Sequence, residues 1–346
     1  MTQENRERLL QLLHKYRDLG MAEQIDYEKF YLYSLITHST AIEGSTVTEI
    51  EAQLLFDEGI TSNKRSIVEQ NMNLDLKAAY DYGRVWIKRH ENITVDSLIA
   101  LAAKVMARTG SEYNSLGGTF DASKGELRKL NVTAGASGNF YMNYQKVPQR
   151  LEAFCEELNA RRKKLDPTDV CAIYDLSFWA HYELVTIHPW ADGNGRTCRL
   201  LMNLLQMEFD VLPTKVLKQD KAEYIQALID TREVDDINIF LNSMARLHIS
   251  HLQHDIKQYE KTIQEKVDRE GGQKNDLVDR KGGQKTRDVI VSLIADNPRI
   301  TTTQMAASLG INRSALSKHL KRMQTDGIII RIGPDKGGHW AVVGKK

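Results

Sequence analysis

Twelve consecutive residues, His188-Pro189-Trp190-Ala191-Asp192-Gly193-Asn194-Gly195-Arg196-Thr197-Cys198-Arg199, gather an imidazole, a carboxylate, a glycine-flanked turn and two guanidinium groups. The apolar positions that follow, Leu200, Leu201, Leu204 and Leu205, continue from Cys198 at helical spacing and predict an amphipathic helix starting near Asn194. Gly193 and Gly195 let the backbone aim several N–H groups into one concavity at a helix N-terminus, where the dipole favours anions. Arg196 and Arg199 stand three apart, so they share a face of the first turns and can fork onto phosphate oxygens. Asp192 is a hard oxygen ligand placed to hold Mg²⁺ against the same phosphates. His188, fixed just upstream by Pro189, is a general-base candidate whose ordinary pKa lies near neutrality. These parts describe a nucleotide-phosphate site beside a base; the plain alternative is a capped helix with solvated arginines.

The order HPxxDGNGRxxR resembles the signature of Fic-domain proteins, with Trp190 where the family usually carries Phe. The resemblance implies that ATP is the substrate and that AMP passes to a Ser, Thr or Tyr hydroxyl of a target protein. His188 would deprotonate that hydroxyl. Phosphate binding would fall to Gly193, Asn194, Gly195, Arg196 and Arg199, and Mg²⁺ to Asp192. Family members that transfer phosphate instead replace the Gly-Asn-Gly-Arg turn, which this chain keeps.

A chain of 346 residues suggests two domains. Its hydrophobic and charged contents are ordinary for a globular protein. No apolar run approaches the ~18 residues a membrane span needs, so the expectation is a cytoplasmic protein with no membrane partner. Cys155, Cys171 and Cys198 sit among helical residues with no CxxC spacing and read as reduced core thiols, not zinc ligands. Charge is uneven. Residues 271–346 hold 14 Lys+Arg against 6 Asp+Glu, net +8, which leaves 33 against 40, net −7, for the rest. An acidic body with a basic end is the asymmetry expected when one end meets nucleic acid.

The elements that must position these residues are mainly helical, and no proline occurs before Pro148. One helix is expected over residues 5–19, closed by Gly20, and a second from about Asp26, as N-cap, to Glu43, stopped by Gly44. Glu43 in a last helical turn has the wrong sign for the helix dipole, which alone suits a solvated surface residue. The segment Ser39-Thr40-Ala41-Ile42-Glu43-Gly44 also resembles the inhibitory motif of Fic proteins that carry it ahead of the core. That resemblance implies that Glu43 pairs with Arg199 and fills the space of a γ-phosphate. Thr48 with Glu51 is a capping box for a short helix to Asp57. Further helices are expected over residues 66–90 and from Thr94 to about Thr109.

Glycine-bracketed β-prone pieces around Ala136-Ser137-Gly138-Asn139 predict a hairpin over residues 130–143. In the family this is the flap that aligns a target segment by strand addition, which would put Tyr141 and Met142 over the site. Helices follow from Pro148 to Leu165, from Asp169 to Ile187, over residues 220–231 and over 236–255. His181 reads as a packing histidine. Tyr224 matches a family tyrosine that touches adenine. The near-repeats at 268–274 and 279–285, with their Gly-Gly pairs, read as flexible turns in a linker over 261–285.

Residues 286–346 read as helix, helix–glycine turn–helix, then strand–turn–strand, which resembles a winged helix–turn–helix. Asn312, Arg313, Ser314, Ser317, Lys318 and Arg322 would face a DNA duplex, while Leu316, Leu320 and Met323 pack inward. The expectation is therefore a mainly α protein: a Fic helical core with a β-hairpin flap over residues 1–260, a linker, and a small C-terminal winged domain. The leading function is protein adenylyltransferase, autoinhibited by Glu43. The alternatives are a nucleotide-responsive DNA-binding regulator that modifies itself, and removal of AMP. A homodimer is compatible with the sequence.

Overall fold

The computed structural model describes residues 1–24, 26–134, 139–275, 283–309, 313–332 and 339–343. The chain divides into two compact units, Met1–Lys261 and Thr262–Lys346.

The first unit opens with α1 (Gln3–Asp18), α2 (Tyr27–Ile42), α3 (Glu49–Asp57), α4 (Ile67–Ile87) and α5 (Val95–Val105). Side-chain caps set most of these starts. Thr48 with Glu51 and Ser66 with Glu69 form reciprocal capping boxes, and Thr94 accepts from the Ser97 amide. Asp26 departs from expectation: it occupies the N-cap position of α2 with φ +62°, and its side chain makes no capping bond. At its other end α2 finishes with Glu43 at the C-cap. The strands β1 (Glu112–Ser115) and β2 (Gly118–Asp121) follow, then β3 (Thr133–Ala134) and β4 (Asn139–Phe140).

Four further helices follow in the unit's core: α6 (Val147–Lys164), α7 (Val170–Ile187), α8 (Asn194–Glu208) and α9 (Lys221–Val234). At its centre α7 lies against α8, with α4 and α5 packed on α8 as well. The amphipathic helix expected after the glycine turn is instead enclosed on every side. Leu200, Leu201, Met202, Leu204 and Leu205 are buried, and so are Thr197, Asn203, Gln206 and Glu208. Buried polar groups need partners, and α8 finds them across the core. Asn203 accepts from Tyr80 and donates to the Thr214 carbonyl, and Gln206 donates to Ser177.

Two hairpins interrupt the helices where one was expected. β1 pairs with β2, Glu112 opposite Asp121, and the rings of Tyr113 and Phe120 stack 5.1 Å apart across the ladder. In the second, Thr133 lies opposite Phe140 and Ala134 opposite Asn139; the Tyr141 amide extends it to the Val132 carbonyl at 3.1 Å. This ladder is shorter than the span 130–143, and the turn at 135–138 lies outside the described residues.

A long helix, α10 (Ile237–Asn275), carries helix through Gly271 and Gly272, where a flexible turn was expected. Each glycine costs only about 1 kcal/mol against alanine in a helix, and Arg269, Glu270, Gln273 and Lys274 around the pair favour helix. The second near-repeat partly opens α11 (Gly283–Asp296); residues 276–282 lie outside the described residues.

The second unit continues with α12 (Thr302–Leu309), α13 (Arg313–Thr325) and a hairpin of β5 (Ile329–Ile332) with β6 (His339–Val342). It has its own core, in which Ile290 and Ile294 of α11 meet Met305, Leu316, Leu320, Met323 and Trp340. The Trp340 amide donates to the Pro298 carbonyl at 2.7 Å, fixing the hairpin to the end of α11.

Candidate active site

The turn between α7 and α8 is built by its own backbone and one amide side chain. His188 caps α7 in the left-handed region at φ +52°, and Gly193 precedes α8 at φ +79°. A Cβ on Gly193 would stand 2.6 Å from Met106 Sδ, so both conformation and space call for glycine. Asn194 closes the loop between them. Its Oδ1 accepts from the Trp190 amide at 3.1 Å and its Nδ2 donates to the Trp190 carbonyl at 2.8 Å. The Asn194 side chain is therefore committed to the turn. Trp190 is buried and donates its indole N–H to the Gly125 carbonyl at 2.9 Å.

Arg196 and Arg199 both lie at the N-terminal end of α8. Arg196 is 2% exposed, within reach of Met106 Sδ and 3.6 Å from Asp192, while its Nε and Nη1 have no hydrogen-bond partner. A buried guanidinium with two unpaired nitrogens keeps unmet hydrogen-bonding capacity. Asp192 is the opposite case. Its side chain is 59% exposed, and one oxygen accepts from the Gly193 amide at 2.5 Å.

Arg199 is fully engaged by α2. Its Nε donates to Ser39 Oγ at 2.9 Å, and its Nη2 donates to the Ser39 carbonyl at 2.9 Å and to Glu43 Oε1 at 2.6 Å. The Glu43 carboxylate also fills the space above Gly195, where a Cβ would meet Oε1 at 2.4 Å. Burial disfavours the charge on Glu43, but Arg199, with Arg196 and Lys221 further off, outweighs it and holds the carboxyl below its ordinary pKa. A network unmarked in the sequence seats this end of α2. Thr40 donates to Asn73 Oδ1 at 3.0 Å, and Asn73 Nδ2 reaches Ser45 Oγ at 3.1 Å.

His188 faces the second hairpin. The Tyr141 ring stacks on the imidazole, centroids 3.7 Å apart at 13°, and the Arg232 guanidinium lies over Tyr141 at 5.3 Å. Burial, aided by the charges of Arg128 and Arg232, pushes the imidazole down to about 4 against a bond to the Val185 carbonyl, so it is neutral at physiological pH. Met142 is half-buried, and its carbonyl accepts from Arg128.

Tyr224 stands beneath Arg199, ring to guanidinium 5.9 Å, buried, with its hydroxyl 2.9 Å from His181 Nε2. It is not an open wall for adenine in this conformation. His181 is enclosed and stacks on Phe240, and burial drives its pKa to about 3. In the second unit Ser317 and Arg322 are exposed on α13. Asn312 and the side chains of Arg313, Ser314 and Lys318 lie outside the described residues.

Residues 92–206 match the Fic/DOC family and residues 285–330 the winged helix-turn-helix DNA-binding family. Over 263 residues the chain is 30% identical to the protein adenylyltransferase Fic of Nematostella vectensis, covering 70% of this chain and 57% of that one. Over 235 residues it is 28% identical to protein adenylyltransferase fic-1 of Caenorhabditis elegans, covering 67% and 41%. It thus spans about half the length of these curated relatives.

Two solved structures share the fold. A Fic domain containing signaling protein from Bacteroides thetaiotaomicron has TM-score 0.59 at 21% identity, covering 73% of this chain and 97% of that one. A Fic family protein from Desulfovibrio desulfuricans has TM-score 0.58 at 16% identity, covering 100% and 98%. The chain therefore carries a Fic/DOC domain built on a mainly helical core with small antiparallel hairpins, followed by a winged helix–turn–helix.

Proposed function

We propose that the chain is a protein adenylyltransferase that moves AMP from ATP to a Ser, Thr or Tyr hydroxyl of a protein, and that Glu43 holds it inactive. One observation carries this reading: the Glu43 carboxylate lies on Arg199 and against Gly195, at the helix N-terminus beside His188. A carboxylate there occupies the ground a nucleotide's terminal phosphate needs. The name borne by the relatives in Nematostella and Caenorhabditis supports the same activity.

In this reading the neutral His188 takes the proton of the acceptor hydroxyl. The oxygen attacks the α-phosphorus, the bond to the β-phosphate oxygen breaks, and pyrophosphate leaves. Arg196 and Arg199 offset the charge on the phosphates, and the Gly193 and Gly195 amides orient them. Asp192, an exposed carboxylate, would hold a magnesium ion beside the phosphates. Such an ion would supply charge neutralisation. Among the described residues no group of three or more acidic, histidine or cysteine side chains forms a dedicated cage.

The basic second unit, with Arg322 on its helix surface, is assigned in this reading to duplex DNA, which places the protein in a cytoplasm holding both DNA and ATP. No helix among the described residues is long and apolar enough to cross a membrane. Incubation with ATP labelled at the α-phosphate tests the activity: label on protein should be weak for the native chain and strong for Glu43→Gly. Equal labelling of both would remove the inhibitory role, and no labelling of any protein would remove the transfer.

A further inference from the structure

Arg128 lies on no part of the motif, yet its side chain meets the base and the hairpin together. It is 1% exposed. Its Nε donates to the His188 carbonyl at 2.7 Å, its Nη1 to the Leu130 carbonyl at 2.7 Å, and its Nη2 to the Met142 carbonyl. Its amide adds a fourth bond, to the Pro189 carbonyl at 3.0 Å. All four acceptors are backbone carbonyls, so the guanidinium reads geometry and not side-chain identity. Leu130 and Met142 flank the hairpin of β3 and β4 on its two sides, and His188 is the residue whose left-handed backbone turns the chain towards α8.

We propose that Arg128 is the positioning residue that fixes the β3–β4 hairpin on His188, setting where an acceptor segment lies relative to the base. The planar fork of guanidinium suits this task, because three carbonyls on three strands of chain are held in one plane with no rotatable bond between donors. Lysine offers one point charge on a flexible stem and cannot span them. The Tyr141 ring shows the precision achieved, lying 3.7 Å from the imidazole. Arg128 also contributes charge at the site. The groups facing His188 are Arg128, Arg232 from α9, Glu43 from α2 and the Tyr141 ring; both arginines favour the neutral imidazole and Glu43 opposes them. A displacement of about 1 Å in such a constellation can slow a reaction roughly 10²-fold.

The inference rests on the adenylyltransferase reading for its catalytic meaning, but its geometric content is measured without turnover. The full-length chain carrying Arg128→Lys or Arg128→Gln is compared with the native chain by NMR titration of His188 and by hydrogen exchange at the Tyr141 amide. Both variants should exchange the Tyr141 amide faster while amides in α7 and α8 keep their protection. Both variants should raise the His188 titration midpoint, because a loosened hairpin lets water reach the imidazole, and Arg128→Gln, which also removes a charge, should raise it further. In the Glu43→Gly background, Arg128→Lys should lower self-labelling by α-labelled ATP about tenfold or more at unchanged ATP affinity. Unaltered exchange at Tyr141 in both variants overturns the proposal, and so does a uniform loss of protection across the core. Should Glu43→Gly show no labelling, the adenylyltransferase reading falls, and the exchange and titration still decide for or against Arg128.

Discussion

Glu43 Oε1 and Arg199 Nη2 meet at 2.6 Å across the gap between the end of α2 and the second turn of α8. Arg199 is almost wholly buried, while the Glu43 side chain keeps 34% of its surface exposed. One partner is part of the core and the other is a visitor to it. Replacing Glu43 by glycine should therefore leave the fold intact and raise AMP transfer by an order of magnitude or more, read as label from α-labelled ATP. Arg199→Ala should stay inactive even in the Glu43→Gly background, because the same guanidinium is needed on the nucleotide. Labelling restored in that double variant would contradict the shared role.

The base gives a pH signature. A His188 pushed down to about 4 is neutral, and thus able to accept a proton, at every pH above that value. Transfer by Glu43→Gly should be nearly flat from pH 8 to about 6 and fall with a midpoint near 4. His188→Ala should abolish it while ATP still binds. An acid limb centred on the ordinary 6.5 would show that the imidazole is solvated during turnover.

Stability should follow pH through two other histidines. Burial drives His181 and His248 to about 3 in the fold, whereas in the unfolded chain both titrate near 6.5. As pH falls below 6.5 the unfolded state takes up protons that the fold refuses, so stability is lost on acidification and regained as pH rises. Two such groups amount to at most about 2–3 kcal/mol per pH unit between those values. Urea unfolding at pH 7 and pH 5 measures it, and equal or greater stability at pH 5 would refute the account.

Asn73 offers a graded version of the Glu43 experiment. Asn73→Ala removes one partner each from the hydroxyls of Thr40 and Ser45, which keep their bonds to the Thr37 carbonyl and the Val47 amide, so stability should fall by about 1 kcal/mol. It should also loosen the end of α2 and raise labelling above native, though less than Glu43→Gly does. A destabilised variant with native activity would show that α2 is held by other contacts.

Exposed Arg322 tests the second unit within the whole chain. Arg322→Ala should weaken duplex binding for all sequences alike and reduce the slope of affinity against salt by about 1, since one phosphate contact releases one counterion. Unchanged affinity and slope would take this arginine off the interface.

What the sequence made legible is what short-range rules govern. The capping box at Thr48 needs only residues three apart, and the turn of residues 188–199 concentrates its charges within one stretch of chain. Arg128 and Asn73 were illegible for the opposite reason. The partners that give them their place, the His188 carbonyl for Arg128 and the Thr40 and Ser45 hydroxyls for Asn73, lie 60, 33 and 28 residues away and leave no spacing to read. The β1–β2 hairpin hid because four-residue strands are too short for alternation to stand out. The bonds of the Asn194 side chain to the Trp190 backbone are likewise invisible in the sequence, because a buried amide bonds whatever backbone it meets. Gly271 and Gly272 were weighed without their helix-favouring neighbours.

In the proposed reading the Ser39 contacts decide how the adenylyltransferase is switched on. Arg199 binds the Ser39 hydroxyl and carbonyl as well as Glu43, so α2 stays anchored whether or not the carboxylate is engaged. In the proposed reading Glu43 is thus a competitor of ATP that never diffuses away. Even short flexible tethers present a ligand at about millimolar effective concentration, and a carboxylate fixed on a seated helix exceeds that. Cellular ATP cannot displace it by abundance alone. Activation then belongs to whatever moves the end of α2, and nucleotide supply becomes a requirement without being the signal.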